Sequence, residues 1–422
     1  MVWVGVCARA ARQCNFRPRL EMKILWIKAG GLVPLDVGGR IRSYQIIREL
    51  SHHHDVTLFT FYPAQPDDGH IKLREVLSKV VCVPLQLPAP RSLGELTNYV
   101  AGAFSSQPYT MAKYYRPEVF RSFKRLLDSE TYDLWLCDFI YPAGIIPWDL
   151  PFPKVLFAHN VEAQVWQRYY QVTRSPVWRL LAWREFRAMT RAERFYVRKA
   201  DQLLTVSEPD RKFFSQYLDP SKITVIPTGV DLDYFQPSPG SEKPDSLVFT
   251  GSMDWLPNDD GICYFLNELL PRIRRHIPEV KLSVVGRNPS ANVKALAVQT
   301  GAEVTGRVQD IRPYVRESAV YIVPLRVGGG TRLKIFEAMA MGKAVVSTSI
   351  GAEGLPVTSG QNIIIQDNPE QFALSVVKLL RDPAAQARLG HAARQMVAER
   401  YSWKAVASEF DAALKKAAAK SR

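Results

Sequence analysis

Residues 321 to 348 read YIVPLRVGGGTRLKIFEAMAMGKAVVST, an order of apolar run, glycines, amphipathic turn and second apolar run that few folds accommodate. Residues 321–323 read as a buried strand that stops at Pro324, because proline has no N–H for a ladder. Gly328, Gly329 and Gly330 follow, and Thr331 is predicted to open a helix reaching about Met341. Gly342 ends that helix, and residues 345–347 begin the next strand. A glycine turn entering a helix presents free backbone N–H groups and the positive end of the helix dipole. Arg332 and Lys334 add full positive charge, and Glu337 adds a carboxylate further along the same helix. Such a site suits a diphosphate that carries a hydroxyl-rich group. The glycines taken alone suit a plain tight turn equally well.

At 422 residues the chain exceeds one typical core and predicts two domains of roughly 200 residues each. Hydrophobic content of 47% and charged content of 23% are ordinary for a globular protein. No apolar run approaches the ~18 residues needed to cross a bilayer. Five scattered cysteines without metal spacing point to a reducing compartment. Of the net charge of +14, half sits in residues 164–200, where nine Arg or Lys face Glu185 and Glu193 for a net of +7. Trp166, Tyr169, Tyr170, Trp178, Leu181, Trp183, Phe186, Phe195 and Tyr196 are interleaved with those arginines, at spacings that mostly suit a helix broken at Pro176. Aromatic residues with arginine on an amphipathic helix suit an anionic membrane surface. They also suit a helix with a packed face and a solvated basic one. No RNA-binding motif accompanies them, so a nucleic-acid partner is not expected.

Residues 1–21 carry four arginines and no clear period, and are expected to be a disordered extension before the strand MKILWI at Met22. A loop closing with Gly38-Gly39 leads into a helix from Arg40 to about Ser51 and a strand over 56–61. Strand, glycine loop, helix, strand is the start of a parallel α/β sheet whose loops bind ligands at the strands' carboxyl ends. Gly38-Gly39 suits close backbone approach of a phosphate or sugar, or a plain turn. His52, His53 and His54 read as a solvated turn, since consecutive residues do not readily share one ion. His159 follows the strand at 154–158, where it could donate to a sugar hydroxyl, orient an acceptor or be a satisfied structural histidine. Residues 236–245 are the best linker. Beyond it the βα rhythm repeats, with Gly251 and Arg287 after successive strands and a helical tail over 369–400.

The 321–348 stretch resembles the nucleotide-sugar site of the retaining family 4 glycosyltransferases, of the kind that build bacterial polysaccharides and exopolysaccharides. In that family a Glu-x7-Glu pattern enters this helix. Glu337 matches the second Glu, which holds ribose hydroxyls, and Gly329 stands where the first would be. The Gly38-Gly39 loop is similar to the family's amino-terminal glycine loop, and His159-Asn-Val-Glu matches its donor-sugar histidine. Residues 227–231 match a Pro-Asn-Gly-Val-Asp hinge with Thr228 for Asn, and Tyr401-Ser402-Trp403 resembles the family's entry to a closing helix. Ser252 and Asn258 stand where the family places an Arg and a Lys for the diphosphate, a loss that Arg287, Arg332 and Lys334 at the carboxyl ends of neighbouring strands could offset, with Arg287 also able to pair with a nearby carboxylate. The resemblance covers nearly everything from Met22 onward and is strongest over 248–337.

It implies the GT-B architecture, an α/β fold of two Rossmann-like, doubly wound parallel-sheet domains facing a cleft, with a C-terminal helix crossing back. The expected division is an acceptor-side domain at 22–230, a linker at 231–245, a nucleotide-sugar domain at 246–400 and a closing helix at 401–422. His159, Lys334 and Arg332 are the expected catalytic residues. Gly38, Gly39, Gly251, Arg287, Gly329, Gly330, Thr331, Leu333 and Glu337 are expected to bind the donor. No metal and no cofactor are expected. The implied partners are a nucleotide-diphosphate sugar and a lipid-linked or saccharide acceptor, in the cytoplasm, with peripheral contact to an anionic inner membrane through 164–200. A nucleotide-sugar epimerase on the same fold, and a non-catalytic nucleotide-sugar-binding partner, remain the alternatives.

Overall fold

The computed structural model describes residues 21–35, 38–62, 73–88, 93–102, 106–172, 176–238, 240–253, 255–327 and 333–419. Thirteen strands form two all-parallel sheets among them. The first has the order β3-β2-β1-β4-β5-β6-β7, from β1 (Lys23–Ala29), β2 (Asp55–Tyr62), β3 (Lys79–Pro84), β4 (Leu134–Asp138), β5 (Lys154–Phe157), β6 (Gln202–Thr205) and β7 (Ile223–Val225). The second has the order β10-β9-β8-β11-β12-β13, from β8 (Ser246–Thr250), β9 (Lys281–Val285), β10 (Glu303–Gly306), β11 (Val320–Val323), β12 (Ala344–Ser347) and β13 (Ile364–Ile365). Central strands such as Ile24, Leu25, Trp26 and Ile27 are apolar without alternation, because helices cover both faces of a parallel sheet.

Five helices position the site and its supports: α1 (Gly38–Leu50), α2 (Glu162–Val172), α3 (Pro176–Lys199), α4 (Leu333–Ala340) and α5 (Trp403–Ala419). The last belongs to the core of the first sheet. Phe410 stacks on Trp26 at 5.6 Å and meets Phe157 edge-on at 5.1 Å. The chain leaves the first sheet and returns to it at one place, where the Val230 N–H donates to the Tyr401 carbonyl at 2.7 Å. Gly229 is required there, since a Cβ would lie 2.5 Å from the Trp403 ring. The carboxyl ends of the two sheets face each other. A Cβ on Gly354, after β12, would sit 3.9 Å from Ser207 Cβ, after β6.

Several local expectations are corrected. The predicted helical tail over 369–400 is two helices, Pro369–Arg381 and Pro383–Arg400, because Asp382 caps the second through the Ala385 N–H at 2.8 Å. The helix beginning at Leu256 carries a π turn over Phe265–Leu269, just ahead of Pro271, whose missing N–H interrupts the ladder. His52 and His53 are exposed as expected, but His54 is buried, with Nε2 2.8 Å from Asp411 Oδ1 on α5. A crossing helix covers that turn, which the local sequence does not disclose. The expected extension over residues 1–21 lies, apart from Glu21, outside the described residues.

Pro176 starts α3, as its fixed φ and missing N–H favour. The two acids of the basic stretch face inward. Glu185 accepts from the Tyr109 and Thr110 N–H groups at 2.9 and 3.2 Å, and Glu193 from the Glu162 N–H at 2.7 Å, capping the start of α2. Burial, with Glu162 nearby, pushes the Glu193 carboxyl up to about 8. Trp166, Phe186 and Tyr196 pack against the core. Val177, Leu180, Trp183 and Phe195 instead lie on the surface, at 42 to 64% exposure, beside Arg187, Arg191, Arg194 and Arg198.

Candidate active site

In each sheet the strand order reverses once, between β1 and β4 and between β8 and β11. Loops leaving neighbouring strands at such a point diverge to opposite faces and open a crevice. The expected site residues gather there. Gly38 and Gly39 begin α1, and His159 follows β5. Gly251 follows β8, Arg287 follows β9, and Lys334 and Glu337 lie on α4 after β11.

On the first sheet, Lys28 of β1 and Asp138 of β4 are partners in the ladder. Their side chains form an ion pair of 2.9 Å, and both are buried. Asp138 also accepts from Trp26 Nε1 at 2.9 Å and His159 Nε2 at 2.8 Å. Burial alone would raise the Asp138 carboxyl, but Lys28 and His159 outweigh it and hold it well below the ordinary range. An ionised carboxylate only accepts, so the His159 proton sits on Nε2. Burial, with Arg42 and Lys28 acting in the same direction against Asp138, lowers the His159 imidazole to about 3, leaving it neutral near pH 7. Its Nδ1 therefore accepts, and Arg42 Nη1 lies 3.2 Å away. The ring stacks on Phe139 at 3.8 Å. Phe139 is left-handed at φ 62°, and Gly39 passes so close that a Cβ would lie 2.7 Å from its ring. A Cβ on Gly38 would meet nothing within 4 Å. His159 is thus only 3% exposed, with both nitrogens engaged by the protein, which fits the structural histidine among the readings the sequence left open and not a side chain open to the cleft.

On the second sheet, the loops after β8 and β9 cross at van der Waals contact, since a Cβ on Gly286 would fall 1.8 Å from the Gly251 carbonyl oxygen. Lys334 reaches over this crossing. Its Nζ lies 4.3 Å above the Phe249 ring and donates to Asn258 Oδ1 at 2.6 Å. Arg287 Nε donates to Ser252 Oγ at 2.8 Å. The two positions that lack the expected Arg and Lys are therefore each hydrogen-bonded to a cation from elsewhere in the sheet, Arg287 from the loop after β9 and Lys334 from α4. Glu337 is partly exposed one turn beyond Lys334, and burial raises its carboxyl to about 7 against the pull of Lys334. Leu333 is the first residue of α4. Gly329, Gly330, Thr331 and Arg332, with the expected helix start, lie outside the described residues.

Lys28, Asp138 and Arg42 were not singled out from the sequence. Their signal was an ionisable residue closing each of two apolar strands, and an arginine in the first turn after the glycine pair.

Two facing parallel sheets, with ligand loops at both switch points and a helix returning to the first, define the GT-B class of sugar transferases. The Glycosyltransferase Family 4 profile matches residues 38–234, and that of Glycosyl transferases group 1 matches residues 244–382. An uncharacterized 44.6 kDa protein in the cps region of Klebsiella pneumoniae is 24% identical over 405 residues, 92% of this chain and 98% of that protein. A D-inositol 3-phosphate glycosyltransferase of Segniliparus rotundus is 27% identical over 236 residues, 50% of this chain and 51% of its own length. Among solved structures, sucrose-phosphate synthase from Thermosynechococcus elongatus superposes with a TM-score of 0.70 at 19% identity, covering 95% of this chain and 100% of that one. Anabaena HepE in complex with UDP and glucose gives 0.65 at 16% identity, covering 94% and 100%. The chain is a family 4 glycosyltransferase of the GT-B fold.

Proposed function

We propose that this enzyme transfers a sugar, with retention, from a nucleoside-diphosphate donor to a lipid-linked or saccharide acceptor during synthesis of a cell-surface polysaccharide. The observation that carries the reading is the pair Arg287–Ser252 and Lys334–Asn258, two cations converging beside the Gly251 turn. The difficult step is departure of the diphosphate, whose charge grows as the C1–O bond breaks. Fixed cations aimed at that charge lower the barrier without reorganising. Arg287 and Lys334, joined by Arg332 and the N–H groups at 329–331 and 333, do this in the proposed complex. The acceptor then attacks from the same face, its proton passing to the departing phosphate oxygen. No pair of carboxylates is assigned to double displacement. The HepE complex, whose ligands are UDP and glucose, supports the donor class, and the cps-region relative supports the polysaccharide setting. A thermal-shift screen of nucleoside diphosphates and their sugars tests this, since a ligand of the folded state raises the melting temperature by mass action. A screen in which no nucleotide stabilises the chain rules the reading out.

Glu337 holds the ribose diol in this proposal, and only its ionised form accepts both hydroxyls. With a carboxyl near 7, affinity for the nucleotide found in the screen is expected to rise about tenfold between pH 6 and pH 8 as the carboxylate forms. Calorimetric titration of Glu337→Gln should lose that rise. A slope retained in the Gln variant assigns it to another group.

The exposed face of α3 supports work at an anionic membrane surface, on the cytoplasmic side. No helix among the described residues is long and apolar enough to cross a membrane. Leu180 and Trp183 lie at helical spacing from Arg187, Arg191 and Arg194. At about 1 kcal/mol per basic residue near such a surface, replacing those three arginines with Gln should weaken binding to phosphatidylglycerol vesicles about a hundredfold. Co-sedimentation equal to that of the parent chain removes the membrane from the proposal.

A further inference from the structure

We infer that Arg42 is a positioning residue that ties the hydrogen-bonding state of His159 to Thr228, on the segment that leads out of the first sheet. Arg42 is 4% exposed, and its guanidinium reaches both His159 and Thr228. Nη1 meets His159 Nδ1 at 3.2 Å, and Nη2 donates to Thr228 Oγ1. Thr228 is itself 3% exposed and lies in the 226–231 segment that leads from the first sheet to the second.

Each side of the imidazole is accounted for. Asp138, held by Lys28 and Trp26, fixes the proton on Nε2. Phe139, stacked on the ring, and Phe157, tilted against it, hold the ring plane. The acceptor Nδ1 is the polar atom of the ring whose partner, Arg42, bridges to Thr228. It points toward the first turn of α1, where a Cβ on Gly39 would be 3.8 Å away. While Arg42 donates to Nδ1, the imidazole has nothing left to offer a sugar hydroxyl. Thr228 holds the guanidinium on Nδ1, and release of that tether frees Nδ1 to accept from that hydroxyl. A planar fork suits this role, because its two donors move as one rigid body. His159 is thus masked from the donor while Thr228 holds Arg42, and open to it once that tether is released.

The kinetic arm of the test rests on the transferase reading, and the spectroscopic arm does not. In the full chain, the long-range 1H–15N spectrum of the His159 ring, assigned by its disappearance in His159→Gln, reports Nδ1 directly. Thr228→Val removes the tether and keeps the volume, and should move the Nδ1 resonance without added ligand. Thr228→Ser keeps the hydroxyl and should leave it near the parent position. With a donor in hand, Thr228→Val is expected to change kcat by about tenfold at nearly constant KM, the scale of one hydrogen bond to a charged group. Thr228→Ser should restore most of that change, and the effect should vanish in a His159→Gln background. An unmoved Nδ1 resonance in Thr228→Val, or an equal kinetic effect with and without His159, overturns the inference. A resonance that moves in a chain with no transferase activity on any donor overturns the transferase reading and leaves the coupling standing.

Discussion

Lys334→Ala is expected to lower turnover by roughly 10²–10³-fold while the melting temperature changes little, the range for removing one preorganised donor from a developing oxyanion. The ammonium lies over Phe249 and donates to Asn258 Oδ1 at 2.6 Å, beside the close crossing of the loops after β8 and β9. Steady-state kinetics with the donor identified by thermal shift provide the measurement. Because Asn258 stands at the other end of the contact, Lys334→Ala combined with Asn258→Lys returns a cation to the same space from the opposite loop, and should recover part of the loss. Unchanged turnover in the single variant removes Lys334 from catalysis. Full loss in the double variant would mean that the helix position, and not the charge alone, is what turnover requires.

Asp138→Ala should destabilise the first sheet by about 3–5 kcal/mol, the usual effect of removing one partner of a buried ion pair. Three donors lose their acceptor at once: Lys28 Nζ, Trp26 Nε1 and His159 Nε2. Against a typical total of roughly 5–15 kcal/mol this is a large fraction, visible in urea unfolding followed by tryptophan fluorescence. The pH dependence has a definite sign. The folded carboxyl titrates below its unfolded value of about 3.9, so its stabilisation is fully present above that pH and fades as pH falls toward the folded value. The parent chain should therefore lose stability on acidification below about pH 4 more steeply than the Ala variant. Parallel acid profiles would show that the Asp138 carboxyl titrates alike in the folded and unfolded chain, and would remove the depressed folded value.

The two sheets were legible because parallel strands buried on both faces are written as unbroken apolar runs, each followed by glycine and a helix. Tyr321 to Pro324 and Met22 to Lys28 show this plainly. Helix ends set by local chemistry were legible too, as at Pro176. The ends that escaped were those where a cap competes with helical propensity, as Asp382 does before Pro383. His54 escaped for another reason, since its burial comes from a helix more than three hundred residues further on.

Of the candidate site, the order of residues along the chain dictated which loops would lie at strand carboxyl ends, and the family resemblance implied that Ser252 and Asn258 leave a diphosphate short of two cations. Period, glycine placement and charge are local properties, and they survive in one dimension. It took the folded arrangement to bring Arg287 and Lys334 to those two positions, and to seal His159 between Asp138 and Arg42. Such pairings depend on how far a long side chain extends across neighbouring strands. That distance is set by sheet order and by the close crossing at Gly251 and Gly286, neither of which any local stretch of the chain encodes.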